Sequence, residues 1–282
     1  MTREGWLAAV TAWCGSGALP ARCDVGTLYP WRAVALHATT VGFKRRVREA
    51  AAVLADARAM DIDWRASISG GKDSTALAVL LAESGWRVSA VSVKDDLDYP
   101  SERAYVEALC DRLGLSVDIL VPPSLRAFLA ASAVSLTTPQ HGRQDALSDL
   151  HFYGLLNGHR AQHGYRGVLM GLRAAESRGR AVNAAVRGAI YTRGYDGLTV
   201  GQPLRRWTAL DVHAYLHTRC VPLLPCYLCV DSDADPFAIR KSWWVVGGLP
   251  ATIGSHYAWL RRWWPDLYQL AAEIDPTVRA LS

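Results

Sequence analysis

The segment WRASISGGKDSTALAVLLAESG, residues 64 to 85, constrains the chain more than any other. A short apolar run, Trp64 to Ile68, meets Ser69-Gly70-Gly71-Lys72-Asp73-Ser74, and a helix-forming Ala/Leu stretch follows at once. A strand that becomes a helix in so few residues needs backbone freedom. Two adjacent glycines supply it and let the main chain come close to a ligand. The N–H groups beyond them stand at the positive end of a helix dipole, so the junction is an anion site. Lys72 adds a mobile charge, Ser69 and Ser74 add hydroxyls, and Asp73 adds a carboxylate able to orient a metal ion or a donor; together they describe a polyphosphate cradle. A plain turn would need neither the flanking serines nor the Lys-Asp pair. Aspartate after the lysine separates the loop from the GxxxxGK[ST] pattern, and its spacing differs from GxGxxG.

Around this junction short apolar runs alternate with helical patterns. WRASI (64 to 68), VSAVSV (88 to 93), VDILV (117 to 121) and GVLMG (167 to 171) read as buried strands, and 74–85, 101–114 and 145–164 read as helices. Such alternation predicts an α/β fold: a Rossmann-like, mostly parallel sheet with helices on both faces and ligands at the carboxyl ends of the strands. Residues 1–60 read as a helical N-terminal extension, 61–220 as the nucleotide-binding α/β domain and 221–282 as a small Cys/Trp-rich helical lobe. In the extension, Val41, Phe43, Val47, Ala51 and Leu54 fall near one helical face, with Lys44, Arg45, Arg46 and Arg48 read as a solvated face.

Three further segments carry chemistry. The acidic cluster Asp95, Asp96 and Asp98 follows the second strand and precedes a helix start capped by Ser101, where carboxylates could hold Mg2+ or ribose hydroxyls. In GLRAAESRGR, Gly171 permits close approach, Arg173, Arg178 and Arg180 offer forked donors for phosphate, and Glu176 can lock an arginine in place. In QPLRRWTALDVHAYLHTRCVPLLPCY, Thr208 and Asp211 have the spacing of a capping box and a structural role.

In this order, the segments resemble the PP-loop family of ATP pyrophosphatases and phosphoadenylylsulfate (PAPS) reductases, adenine nucleotide alpha-hydrolase-like proteins. The SGGKDS loop is similar to the family signature, DDLDYPSE to its DTG...FPET segment, GLRAAESRGR to GIRxxES..R and the 202–227 stretch to PLxxWTxxDVWxYI...IPxxPLY, covering residues 62 to about 245. The resemblance implies ATP and Mg2+ as ligands. It implies nucleotide binding by Ser69, Gly70, Gly71, Lys72, Asp73, Ser74, Asp95, Gly171, Arg173, Glu176, Ser177 and Arg178. Lys72, Asp73 and Arg173 would be catalytic, and Asp73 or Asp95 would hold Mg2+.

The chain departs from the family at its cysteines. The C-terminal Glu-Cys-Gly-Ile/Leu-His segment of PAPS reductases has no counterpart, because no cysteine follows Cys229. Cys220, Cys226 and Cys229 supply three of the four ligands of an iron-sulfur relative. They leave open a cluster with a vacant position, a zinc site completed by His217 or an aspartate, thiols that relay sulfur, and plain packing. Calcium is excluded at VDSDADPF, which has no glycine at the sixth loop position and no glutamate at the twelfth. Near the C-terminus Tyr257, Leu260 and Trp264 share a helical face, which favours packing over base stacking.

The reading that follows is an ATP pyrophosphatase that adenylates a substrate oxygen for displacement by sulfur or nitrogen. Among the family, the ATP-pyrophosphatase subunits of DNA phosphorothioation systems are similar to it. They imply a nucleic-acid substrate and a sulfur-donor protein such as a cysteine desulfurase. The rivals are a PAPS/APS reductase and a non-catalytic nucleotide-sensing or partner-binding subunit. The formal charge of +5 and pI near 8.9 suit anionic partners. No run approaches a membrane span, and Met1-Thr2-Arg3-Glu4-Gly5 lacks the start of a signal peptide, so a cytoplasmic protein is expected.

Overall fold

The computed structural model describes residues 3–14, 30–99, 101–132, 135–136, 152–229, 237 and 250–281. Six strands, β1 (Trp64–Ser67), β2 (Ala90–Val93), β3 (Val117–Leu120), β4 (Gly167–Met170), β5 (Ile190–Thr192) and β6 (Thr199–Gly201), form one sheet in the order β3-β2-β1-β4-β6-β5. All neighbours are parallel except the β5/β6 pair, and Ala66 of β1 stands opposite Ala90 of β2 while Trp64 stands opposite Gly167 of β4. The four long-range strands are those the apolar runs predict, trimmed at their ends. The β5/β6 hairpin is an addition: its two three-residue strands are too short, and their connection too rich in glycine, to show period-two alternation.

The chain steps outward from β1 to β2 to β3 through α4 (Lys72–Glu83) and α5 (Glu102–Leu113), then returns through α6 (Leu125–Ser132) and α7 (Gly154–His163) to β4 on the other side of β1. Right-handed crossovers that reverse direction in this way put helices on opposite faces of the sheet. Ala76, Leu77, Ala78 and Leu81 of α4 are fully buried, as expected of a helix apolar on nearly every side. Full burial of each leucine is worth about 1.5–3 kcal/mol. Helix α7 begins nine residues later than the predicted start at 145, and 145–151 lie outside the described residues.

The N-terminal region is helical, as expected: α1 (Arg3–Cys14), α2 (Trp31–Thr39) and α3 (Val41–Arg58). Its buried face needs correction. Val41 is 80% exposed and Ala51 is exposed, whereas Phe43, Ala50, Leu54 and Ala57 are buried. Spacings of seven, four and three residues keep that second set on one stripe, while Val41 sits on the first turn, beyond the packed surface. Val10, Val34, Phe43 and Leu54 join the same buried cluster as Leu77, Tyr105, Trp207 and Tyr215.

Arg46 also departs from the solvated face assigned to it. Helix α9 (Ala209–Thr218) starts with the predicted capping box, in which Thr208 Oγ1 accepts from Asp211 N at 3.1 Å and Asp211 Oδ2 accepts from Thr208 N at 2.6 Å. The same carboxylate accepts from Arg46 Nε at 2.8 Å, from Arg46 Nη2 at 2.7 Å and stands 2.7 Å from His37 Nε2. Burial alone would raise the Asp211 carboxyl, but these donors outweigh it and hold the group below the ordinary carboxylate range. The C-terminal helices α10 (Pro250–Trp263) and α11 (Pro265–Ile274) follow. Tyr257, Leu260 and Trp264 are buried as expected, and Trp264 meets Tyr99 edge-to-face with ring centroids 5.3 Å apart.

Candidate functional site

The glycine loop lies at the carboxyl end of β1, where the strand order switches between β2 and β4, the position at which open α/β sheets take ligands. Gly70 adopts φ +82°, a left-handed conformation that favours glycine, and a Cβ there would crowd Val106 Cγ2 at 3.0 Å. Gly71 is the N-cap of α4. Ser74 Oγ accepts from Ser69 N at 3.1 Å and donates to Gly71 O at 2.9 Å, which ties the loop back on itself. Both serines therefore shape the loop.

Three cations converge here, each nearly inaccessible: Lys72, Lys94 and Arg173. Lys72 Nζ donates to Asp73 Oδ2 at 3.1 Å, and Arg173 Nε donates to Asp73 Oδ1 from across the β1/β4 crevice. Asp73 is thus the bridge between the loop and the arginine. Glu176 holds Arg173 in turn, accepting from its backbone N at 3.3 Å and standing 3.6 Å from Nη2, as the sequence predicts. Lys94, at the end of β2, donates to Ser69 O at 2.9 Å and pairs with the buried Glu102.

Gly171 permits a close approach, and what comes close to it is the backbone at Asp73 and Ser74. A Cβ at this position would lie 2.7 Å from Asp73 O and 2.9 Å from Ser74 N. Asp95 accepts from Leu97 N at 2.9 Å and shapes its own turn, while Asp96 accepts from Leu125 N at 2.8 Å. The remaining predicted residues lie apart. Ser177 caps α8 (Arg178–Arg187) by accepting from Arg180 N at 3.2 Å, Arg178 is exposed, and Arg180 pairs with Glu176 on the surface. Ser101 does not cap α5 through its side chain: it takes φ 70°, in the left-handed region.

Sequence reasoning passes over Lys94, Glu102, His213 and the role of Tyr227. The Tyr227 hydroxyl accepts from Lys72 N at 3.1 Å, and its ring lies 5.3 Å from Lys72 Nζ. His213 is buried beneath the loop. Burial first, then the nearby charges of Lys72 and Arg173, push its pKa down to about 3 against the opposing pull of Asp73, so the ring is neutral. A charged residue closing a strand's carboxyl end was the one available signal, and it pointed to Lys94.

Of the cysteines, Cys220 is exposed while Cys226 and Cys229 are buried. Among the described residues these thiols are not gathered with His217 or an aspartate into a metal-ligating group. Beside the site, Arg45, Arg46, Arg205 and Arg206 line a hollow of about 680 Å3 whose wall includes Ala174 and Ala175, directly after Arg173. No helix among the described residues is long and apolar enough to cross a membrane.

Residues 64–229 match the phosphoadenosine phosphosulfate reductase domain. Among solved structures, the chain is similar to a phosphoadenylyl-sulfate reductase from Candida auris in a phosphate complex, at 17% identity and a TM-score of 0.50, covering 71% of this chain and 92% of that one. It is also similar to NMN synthetase from Francisella tularensis, at 20% identity and a TM-score of 0.46 over 64% of this chain and 71% of that one. Yeast FAD synthetase in complex with FAD matches at 13% identity and a TM-score of 0.47, over 80% of this chain and 70% of that one. At 17% identity the likeness to the reductase concerns the fold. No curated protein matches the chain.

Proposed function

This chain belongs to the phosphoadenosine phosphosulfate reductase domain family, and on that premise we propose that it is an ATP pyrophosphatase. A substrate oxygen attacks the α-phosphorus, the bond from that phosphorus to the bridging oxygen breaks, and pyrophosphate leaves with the electron pair, giving an adenylated substrate. The observation that carries this reading is the bridge Lys72–Asp73–Arg173 across the sheet's switch point. Two cations held there by one carboxylate are preset for an anion spanning the same gap, and such fixed charge is most valuable where water is scarce.

The Lys72 ammonium would receive the phosphates, and Arg173, oriented by Glu176, would neutralise charge that develops on the α-phosphate. As the phosphates take over these cations, the Asp73 carboxylate is released. It or Asp95 would hold Mg2+, which supplies further charge neutralisation on the polyphosphate when bound. Lys94 keeps the loop closed from below through Ser69 O.

Nucleic acid is the acceptor class we favour, because Arg45, Arg46, Arg205 and Arg206 outnumber the one carboxylate, Glu49, in the hollow next to the turn that carries Arg173. Activation for sulfur insertion would then call on a sulfur-donor protein such as a cysteine desulfurase. The test is pyrophosphate release from Mg-ATP with and without DNA or RNA, using Lys72→Ala as control. Release that rises with one nucleic acid and vanishes in the variant is expected. Sulfite release from PAPS with no pyrophosphate from ATP would instead establish reduction, and tight nucleotide binding without either product would establish a sensing subunit.

A further inference from the structure

We propose that Asp118, His159 and His163 form a binding site for a divalent transition metal, suited to Zn2+, separate from the glycine loop. Asp118 stands on edge strand β3, two strands from β1, and both histidines stand on α7. One ligand atom from each of the three lies within 4.8 Å of the other two.

Three independent features fit a metal. Positions 159 and 163 are four apart on a helix, the spacing that puts two imidazoles on one face, and their ring centroids are 4.2 Å apart. His159 Nε2 lies 3.2 Å from Asp118 Oδ2. Two ligands at the usual zinc distances of about 2.0–2.2 Å, separated by a tetrahedral angle, lie about 3.3–3.6 Å apart, so the pair is already close to its liganded spacing. The other nitrogen of the same ring, Nδ1, is 3.4 Å from the Tyr165 hydroxyl, which is in turn 3.5 Å from Leu156 O. That is the outer hydrogen bond a metal-bound histidine normally makes.

Chemistry and exposure agree with this geometry. With the ring proton on Nδ1, where the Tyr165 hydroxyl accepts it, Nε2 presents its lone pair to the metal. His159 is buried and fixed in orientation, whereas His163 and Asp118 are exposed and able to close on an incoming ion, leaving a fourth position for water. The ion would clip the edge strand to the helix that leads into β4, across 41 residues of chain.

The experiment is calorimetric titration of the metal-stripped full chain with ZnCl2 alone, together with the visible spectrum of its Co2+ form. Expected are one equivalent of Zn2+ at this site and a rise in melting temperature. His163→Ala and Asp118→Asn should each weaken that binding by more than about 100-fold and Tyr165→Phe by about 10-fold, beyond and within the range for losing an outer partner. Cys220→Ser should leave it unchanged. Both ligand substitutions are at exposed positions, so equal urea midpoints without metal verify that the variants fold. Absence of binding, binding indifferent to His163→Ala and Asp118→Asn, or sulfur-to-cobalt charge transfer as the only metal signal would overturn the site.

Discussion

Two of the buried charge clusters among the described residues are built differently. At the joint of α2, α3 and α9, one carboxylate with no exposed surface, Asp211, collects His37, Arg46 and both the amide and hydroxyl of Thr208. Every partner is protein and the carboxylate itself is sealed, although Arg46 is 21% exposed and also lines the hollow. At the glycine loop the bridging carboxylate, Asp73, is 15% exposed, and its two cations come from opposite sides of a crevice. The first arrangement fastens helices; the second holds charge in readiness for a ligand that can displace the bridge. Burial of charge alone does not mark function. What marks it is burial of the cations with an opening at the anion.

The sharpest way to break this distinction is to mutate each cluster and read both turnover and stability. Lys72→Ala should reduce pyrophosphate release by about 10²–10³-fold, the usual cost of losing one preset charge, while Asp73 keeps Arg173 as its partner and the urea midpoint falls less than in Asp211→Asn. Asp211→Asn should do the opposite. Removing one partner of a buried pair costs about 3 kcal/mol in unfolding free energy, and the remaining folded protein should turn over at close to the normal rate. If Asp211→Asn lost turnover as Lys72→Ala does, the sealed cluster would have to be counted as part of the site.

A pH comparison sharpens the contrast further. His213 under the loop resists protonation down to about pH 3, whereas an unfolded histidine titrates near 6.5. Between those values the unfolded chain binds a proton that the folded one refuses, so stability is present above pH 6.5 and is lost as pH falls. Between pH 7 and 5 this amounts to about 2 kcal/mol. The Asp211 carboxyl is held below its ordinary range, so it stays ionised over that interval and contributes no slope. His213→Gln should therefore flatten the loss of stability from pH 7 to 5, and an unchanged slope would place the neutral histidine elsewhere. The smallest effect is expected in the hollow: Arg205→Ala with Arg206→Ala should weaken nucleic-acid binding and lower its logarithmic salt dependence by about two. No change in slope would remove the hollow from the acceptor site.

Local chemistry made much of the site legible. Ser69 to Ser74 had to be a strand-to-helix turn because the glycines, the serines and the helix-forming run are adjacent, and Arg173 with Glu176 was recognisable from a spacing of three. Roles that depend on distant partners were not legible. Arg46 reads as one member of a basic run until Asp211, 165 residues away, is placed against it. Tyr227 shows no sign in its own neighbourhood that its hydroxyl will meet the amide of Lys72, 155 residues earlier. Gly171 was singled out correctly, but its neighbour is the backbone at Asp73 and Ser74.

The sequence by itself determined the loop, the strand-helix alternation and therefore the kind of fold, because backbone freedom, capping and apolar periodicity act over a few residues. Tertiary structure alone decided which charges face an opening and which are sealed. It also decided that Lys94 and Glu102 support the loop, and that Asp118 meets two histidines 41 and 45 residues further on. Those outcomes depend on strand order and on the hand of the crossovers, which sum contacts over the whole chain and leave no local trace.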